Sequence, residues 1–380
     1  KRNMNELPPI ELPPGSRSSF AENVNGLRMH YLETGPDDGS RPLLLLLHGF
    51  PELAYSWRKV MVPLAERGYH VVAPDQRGFG RTSGWDDAYD QDLRPFNLLN
   101  LVRDAVALIR KLGYDKVEGV FGHDFGSPVA AYASLIRPDL FRSVALMSAP
   151  FAGPPVFADN NASVGPSIFD NLGRLSRPRK HYHHYYSTRT ANGEMMNAPQ
   201  GLHGFLRGYF HGKSADWPGN DPKPLAAWTA EEIASMPTYY IMDRDKDMAE
   251  TSATFMPTPE EIASCHWLPE DELAFFAQEY GRTGFQGGLN WYRCRFEEEM
   301  TAELCLFGGR TIDIPACFIG GEKDWGIYQR PGALEAMRDA ACTDMRSVNL
   351  VPGAGHWVQQ EQPDAVVQIL SGFLADIDGR

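Results

Sequence analysis

A glycine-flanked aspartate lies where a buried strand pattern gives way to a helix pattern. The segment is Gly122-His123-Asp124-Phe125-Gly126, and the strand pattern VEGVFGHD runs into it. Glycines on both sides permit a strained turn that exposes the central side chain at the end of the strand. A carboxylate that displaces a leaving group from an sp³ carbon forms an alkyl ester, which water can cleave. By itself the motif fits a helix N-cap equally well, but the residues described next favour Asp124 as a nucleophile.

Two later residues complete an order of nucleophile, acid and base. The aspartate turn resembles the nucleophile turn of α/β-hydrolases, in which these groups follow one another in that order. His356, in PGAGHW, lies on a loop before the final helix pattern and is predicted to activate water. Asp324 ends the strand pattern IPACFIGGEKD and is predicted to hold the tautomer of the imidazole. Glu322, two residues earlier, is the rival for this role.

The loop after the run of five leucines is predicted to stabilise an oxyanion. His48-Gly49-Phe50-Pro51 follows LLLLL at residues 43–47. In this arrangement the backbone N–H groups of Phe50 and Phe125 converge on the oxygen that becomes negative during hydrolysis of the ester. His48 is predicted to brace the loop rather than to act as a base. The Phe50–Pro51 bond is a candidate cis peptide.

Alternating strand and helix patterns must position these residues. Predicted strands lie at 43–47, 69–75, 117–124, 142–150, 314–324 and 346–353, and predicted helices at 55–67, 98–112, 127–135, 331–340 and 365–374. Such alternation indicates a mostly parallel sheet covered by helices on both faces. A strand pair turned at Asn25-Gly26 precedes it. Because the alternation of strand and helix patterns stops between 151 and 305, we predict an α/β-hydrolase core at 1–150 and 306–380 with an inserted helical cap at 151–305.

Composition favours a neutral small-molecule partner. The chain has 380 residues, 43% of them apolar, and a net charge of −13, which disfavours nucleic acid and anionic membrane surfaces. We expect no membrane span, no cofactor and no metal; the acidic run at 243–247 lacks the glycine and the final glutamate of a calcium loop. Five cysteines form no CxxC pair and predict reduced thiols. Without a visible signal peptide, the expected location is cytoplasmic.

The chain resembles the epoxide hydrolases of the α/β-hydrolase superfamily from about residue 27 to its C-terminus. The resemblance rests on HGFPE, YSWR, DQRGFGRTS, GHDFG, GFQGGLNWYR, GEKDW and GAGHW. It implies two cap tyrosines that bind the epoxide oxygen and protonate it as the ring opens. Tyr292, in LNWYR, matches the second of them. Tyr182 is favoured for the first, with Tyr185 and Tyr186 as alternatives.

The implied reaction is hydrolysis of a small apolar epoxide by water to a vicinal diol, through an ester on Asp124. Phenols, with an ordinary pKa of about 10, can donate a proton to the leaving oxygen at neutral pH. An apolar cleft between cap and core would hold the substrate. Its predicted wall residues, besides Phe50 and Phe125, are Trp57, Trp291, Trp325 and Trp357.

Two other functions fit parts of the same pattern. A haloalkane or haloacid dehalogenase would use the same displacement by Asp124, but it needs donors for a halide or an arginine after the nucleophile. Phe125 stands at that position, where many epoxide hydrolases have tryptophan. A non-catalytic receptor with this fold would not need nucleophile, acid, base and cap tyrosines together. The predicted cap is also longer than is usual in the family, with an extra stretch near 212–257.

Overall fold

An eight-stranded sheet forms the centre of the protein. The computed structural model describes residues 7–157 and 167–379. The strands of this sheet are β1 (Ser16–Val24), β2 (Leu27–Thr34), β3 (Leu43–Leu47), β4 (His70–Pro74), β5 (Gly119–His123), β6 (Val144–Met147), β9 (Ala316–Gly321) and β10 (Met345–Val351). Their order is β1-β2-β4-β3-β5-β6-β9-β10, and all pairs from β4 to β10 are parallel.

Continuous apolar strands occupy the middle of this sheet. All five leucines of β3 are buried, with no more than 1% of each exposed. A strand buried on both faces needs no alternation of polar and apolar residues, because helices cover both sides. At one edge of the sheet, β1 and β2 pair antiparallel and are joined by a turn at Asn25-Gly26, where both residues have positive φ. This is the backbone that a two-residue hairpin turn requires.

Helices from both parts of the core sequence cover the sheet. They are α1 (Arg58–Glu66), α2 (Leu98–Lys111), α3 (Gly126–Ile136), α14 (Ala333–Ala336), α15 (Val358–Glu361) and α16 (Pro363–Asp378). Asn97 caps α2, since its side chain accepts a hydrogen bond from the N–H of Asn100. The sequence predicts one continuous helix at 331–340. The structure instead has the short α14, which continues as a π-helical turn, Met337–Ala341.

A mostly helical insertion separates β6 from β9. Its described helices are α4 (Ile168–Gly173), α5 (Tyr182–Tyr186), α6 (Ala191–Met196), α7 (Gly201–Lys213), α8 (Ala230–Ile233), α9 (Met248–Ala253), α10 (Pro259–Ser264), α11 (Glu270–Thr283), α12 (Gln286–Arg293) and α13 (Glu298–Cys305). Two short strands that the sequence did not predict, β7 (Arg179–His181) and β8 (Ile241–Asp243), pair antiparallel within it. The limits of this cap at residues 151 and 305 stay a prediction, and 158–166 lie outside the described residues.

The predicted fold class, a mostly parallel sheet flanked by helices, is confirmed. In a parallel sheet the carboxyl ends of neighbouring strands meet at one edge, which is where ligands bind in open α/β folds. The ends of β3, β5, β6 and β9 therefore lie side by side. Within residues 7–157 and 167–379, no helix has the length and apolar character needed to cross a membrane.

Candidate active site

The turn between β5 and α3 places Asp124 at the carboxyl edge of the sheet. Asp124 has a φ of 52°, a left-handed conformation that is unusual for a residue other than glycine. Its glycine neighbours are sterically required: a Cβ on Gly122 would lie 2.0 Å from the carbonyl oxygen of Gly126. One on Gly126 would lie 2.2 Å from the carbonyl oxygen of Leu47. The close packing of β5, α3 and β3 thus holds the aspartate on a strained turn.

Both carboxylate oxygens of Asp124 have partners. The N–H of Phe50 donates to Oδ1 at 3.0 Å, and Oδ2 lies 3.1 Å from Nε2 of His356. Burial alone would raise the pKa of Asp124. The hydrogen bond to His356 and the positive charges of His356 and Lys213 outweigh burial and hold this pKa well below its usual range. Asp124 is therefore an ionised carboxylate with one oxygen fixed by the backbone.

His356 lies between two carboxylates. Its Nδ1 is 3.1 Å from Oδ1 of Asp324, on the side away from Asp124. Burial lowers the pKa of His356, but the charge of Asp324 and the hydrogen bonds to both aspartates raise it to about 9. Asp324 is 1% exposed, whereas Glu322 is exposed on the surface. The structure therefore brings Asp324, and not Glu322, to the histidine.

Ser148, which the sequence reasoning missed, completes this arrangement. Its hydroxyl donates to Oδ2 of Asp324 at 2.5 Å and lies 3.0 Å from Nδ1 of His356. The N–H of Gly326 donates to Oδ1 of the same carboxylate at 2.6 Å. These bonds fix the orientation of Asp324 and, through it, of the imidazole. The only sequence signal for Ser148 was its position directly after β6, at the edge where the other groups meet.

A second buried pair, Glu52 and His123, supports the loop that carries His356. Nδ1 of His123 is 2.6 Å from Oε2 of Glu52, and its Nε2 is 2.6 Å from the carbonyl oxygen of His356. Burial would raise the pKa of Glu52, but His123 lowers it below the ordinary value. The sequence reasoning did not single out either residue, although both belong to motifs around Phe50 and Asp124.

The loop that carries His356 is also attached to the cap. The N–H of His356 donates to the carbonyl oxygen of Lys213, the last residue of α7, at 2.8 Å. A Cβ on Gly355 would lie 2.5 Å from the carbonyl carbon of Ser214. Glycine at 355 therefore permits the direct contact between this loop and the cap backbone.

Tyr182 and Tyr292 line one small cavity with Asp124. The cavity has a volume of about 160 Å³. The centroids of the two phenol rings are 6.1 Å apart. Burial, together with the negative charge of Asp124, raises the pKa of each phenol well above 10, so both keep their protons at neutral pH. The Tyr182 hydroxyl donates to Oε1 of Gln329 at 3.0 Å.

The two alternative tyrosines are engaged elsewhere. The hydroxyl of Tyr185 donates to Oε2 of Glu194 at 2.7 Å, and that of Tyr186 is 2.7 Å from the hydroxyl of Tyr209. Neither residue lines the cavity at Asp124. Of the three tyrosines in this segment, the structure therefore brings Tyr182 alone to the cavity at Asp124.

Comparisons with known proteins agree with this geometry. A family model described as the alpha/beta hydrolase fold matches residues 42–184. Epoxide hydrolase B of Mycobacterium tuberculosis is 32% identical over 93% of this chain and 97% of its own length. Epoxide hydrolase A of the same organism is 32% identical over 96% and 100%.

This chain belongs to the epoxide hydrolase family. Among solved structures, an epoxide hydrolase from an endophytic Streptomyces is 30% identical, with a TM-score of 0.77 and coverage of 97% of both chains. Potato (Solanum tuberosum) epoxide hydrolase I is 29% identical, with a TM-score of 0.71 over 95% of this chain and 99% of its own.

Not all of the predicted wall residues of this epoxide hydrolase lie at the cavity with Asp124. Phe125 lines the cavity at Asp124, and Trp291 packs against it with ring centroids 5.1 Å apart. Trp57, Trp325 and Trp357 are buried and are not part of that cavity lining. The Trp357 indole instead donates to the carbonyl oxygen of Phe210 at 2.8 Å. The structure thus brings only part of the predicted aromatic wall to the site.

The loop after β3 adopts the predicted backbone. The Phe50–Pro51 peptide is cis. Nδ1 of His48 is 2.8 Å from the carbonyl oxygen of Gly49, and its Nε2 accepts from the N–H of Gln76 at 3.1 Å. These backbone contacts brace the loop, as proposed for His48. The second donor of the oxyanion site, the N–H of Phe125, stays a prediction.

Proposed function

We propose that this epoxide hydrolase converts an epoxide to a vicinal diol in two steps, through an ester on Asp124. The observation that carries the proposal is the placement of two protonated phenols and an ionised carboxylate around one cavity. The carboxylate supplies a nucleophile and the phenols supply acids. Ring opening needs both at once, because the leaving group is an alkoxide.

In the first step an oxygen of Asp124 attacks a ring carbon and the C–O bond of the epoxide breaks. Oδ1 is held by the N–H of Phe50, so Oδ2 is the attacking oxygen. Tyr182 or Tyr292 donates its proton to the oxygen that leaves. The product is a hydroxyalkyl ester of Asp124, and the phenolate regains a proton from solvent or from the imidazolium.

In the second step His356 acts as a base toward water. While Asp124 is ionised, its hydrogen bond and charge help to hold the pKa of His356 near 9. Esterification removes that charge, which lowers the pKa and releases the neutral imidazole needed to accept a proton. The hydroxide attacks Cγ of Asp124, and the N–H of Phe50 stabilises the oxyanion. Collapse breaks the ester C–O bond at Cγ, the imidazolium gives its proton to the departing alkoxide to complete the diol, and Asp124 then loses a proton to restore the carboxylate.

Trapping the ester tests this scheme. The Asp124→Asn variant should lose turnover and form no adduct, whereas the His356→Gln variant should open the ring and accumulate the ester. Styrene oxide is a suitable neutral substrate, and the adduct is measured by mass spectrometry of the intact protein and of the peptide that contains residue 124. A His356→Gln protein that stays unmodified while the wild type forms diol would contradict the two-step mechanism.

A dehalogenase is less well supported. Halide departure needs N–H donors that face the leaving atom, and indole groups commonly provide them. Here the indoles of Trp291 and Trp357 donate to the carbonyl oxygens of Arg77 and Phe210, and neither Trp57 nor Trp325 lines the cavity at Asp124. Measurement of halide release from a haloalkane alongside diol formation from an epoxide distinguishes the two activities.

A further inference from the structure

Two arginines lie at the junction of the cavity at Asp124 with a larger one. Arg295 and Arg330 line the inner cavity of about 160 Å³ and also an outer cavity of about 720 Å³. Phe125 lines both cavities as well. The two cavities are therefore adjacent, and both arginines belong to the wall that they share.

Neither guanidinium is neutralised by the part of the chain that the structure describes. Within residues 7–157 and 167–379, the side chains of Arg295 and Arg330 form no ion pair and no hydrogen bond. Arg295 contacts the ring of Phe125 and Arg330 that of Trp228, at 4.6 Å and 5.7 Å from the ring centroids. Glu303 lines the outer cavity, but its carboxylate accepts from the Asn97 amide at 3.4 Å.

These positive charges lie close to the position of the reacting ring. Phe125 follows the nucleophile directly, and its ring centroid is 5.1 Å from that of Tyr292. Arg295 is thus separated from the Tyr292 phenol by about the width of one aromatic ring. The inner cavity accommodates about five water-sized volumes, which is room for an oxirane with a short substituent.

The outer cavity is largely apolar. Its wall includes Leu98, Tyr132, Phe151, Met300 and Leu304.

A planar carboxylate is the group that a guanidinium binds best, through two parallel hydrogen bonds. An apolar group on the same substrate would extend past the arginines into the outer cavity.

We infer that this enzyme prefers an epoxide that carries a carboxylate on or next to the oxirane ring, bound by Arg295 and Arg330, with an apolar group in the outer cavity. The inference rests on the proposed function and narrows its substrate class. It departs from the neutral partner that the net charge of −13 favours. Local charge decides binding within a site, because exposed charges elsewhere are screened within about 8 Å at physiological ionic strength.

A matched pair of substrates tests this preference. 3-Phenyloxirane-2-carboxylate and its carboxamide have the same shape and differ in charge. We expect kcat/KM for the acid to exceed that for the amide by only about tenfold, since both arginines are exposed to solvent, which weakens charged pairs. Arg295→Gln and Arg330→Gln should each remove most of this difference, because each should lower kcat/KM for the acid more than for the amide. Arg103→Gln, at an exposed arginine on α2 outside both cavities, is the control.

Binding of unreactive analogues separates this inference from the proposed reaction. 3-Phenylpropanoate should bind about tenfold more tightly than 3-phenylpropanamide in calorimetry, and Arg295→Gln should remove most of the difference. Equal affinities for acid and amide in the wild type would overturn the inference, even if the amide of the epoxide is hydrolysed. A retained difference in binding without hydrolysis of either epoxide would support the anion site and contradict the proposed function.

Discussion

The Glu361 carboxylate accepts hydrogen bonds from the backbone on both sides of His356. The N–H groups of Gly355 and Trp357 donate to it at 2.9 Å and 3.0 Å, and that of Ala215 in the cap donates at 2.8 Å. Burial raises the pKa of Glu361 to about 7, although the three N–H groups act in the opposite direction. Glu361 thus connects the histidine loop to the cap through one buried group.

Glu361→Gln should therefore slow hydrolysis of the ester more than its formation. The amide NH₂ would face a backbone N–H, which costs about 1–3 kcal/mol for an unsatisfied buried group. We expect a roughly tenfold slower second step, equivalent to about 1.4 kcal/mol, and a shifted pH profile for that step. Single-turnover kinetics followed by mass spectrometry measure both steps. Equal slowing of the two steps, with an unchanged pH profile, would indicate a purely structural role.

Removal of the phenol hydroxyls should slow ring opening. Each hydrogen bond to the developing alkoxide should contribute about 1.5–3 kcal/mol, so Tyr182→Phe and Tyr292→Phe should each slow formation of the ester by roughly ten- to a hundredfold. The double variant should lose far more, while ester hydrolysis changes little. Tyr185→Phe is the matched control, because that hydroxyl donates to Glu194. A normal alkylation rate in the double variant would exclude both tyrosines as acids.

Ser148→Ala should weaken the orientation of Asp324. The variant removes a hydrogen bond to a buried carboxylate, which contributes about 1.5–3 kcal/mol in charged pairs. Since Asp324 acts through His356, the loss should appear mainly as slower ester hydrolysis. Ser134→Ala, whose buried hydroxyl donates to the carbonyl oxygen of Ala130 in α3, serves as control. Comparable loss of activity in both variants would point to general destabilisation instead.

Stability should depend on pH through His356. Its pKa is raised from 6.5 to about 9 in the folded protein. The resulting stabilisation is fully present below pH 6.5 and is lost as the pH rises through 9, at up to about 1.4 kcal/mol per pH unit. Urea unfolding at pH 6, 7.5 and 9 should show a steeper decline for the wild type than for His356→Gln. Parallel declines would mean that His356 is not stabilised as a cation.

The sequence predicts the ends of the strands well, and therefore the groups placed there. Asp124 and Asp324 each follow a recognisable apolar strand, and parallel strands end at a common edge. Ser148 follows a strand too, but a serine has no local pattern that separates a positioning residue from an ordinary turn residue. Its importance depends on distances across three strands, which only the folded chain defines.

Side-chain direction was harder to predict in the cap and in the aromatic wall. The segment at 179–188 offered three tyrosines, and only the folded chain shows that Tyr182, the first residue of α5 after the short strand β7, lies at the cavity with Asp124. Trp325 and Trp357 lie beside catalytic-site motifs in the sequence, yet their rings pack into the interior. Sequence proximity to a motif does not determine on which side of the backbone an indole packs.

The hydrogen bond from the N–H of His356 to the cap residue Lys213 constrains how a substrate can enter the site and how the product can leave it. If the cap swung away as a rigid lid, this bond would break and the base would lose its alignment in every turnover. A molecule that instead enters through the outer cavity leaves the contact intact. On such a route, beside Phe125, His356 would stay aligned during binding, ring opening and departure of the diol.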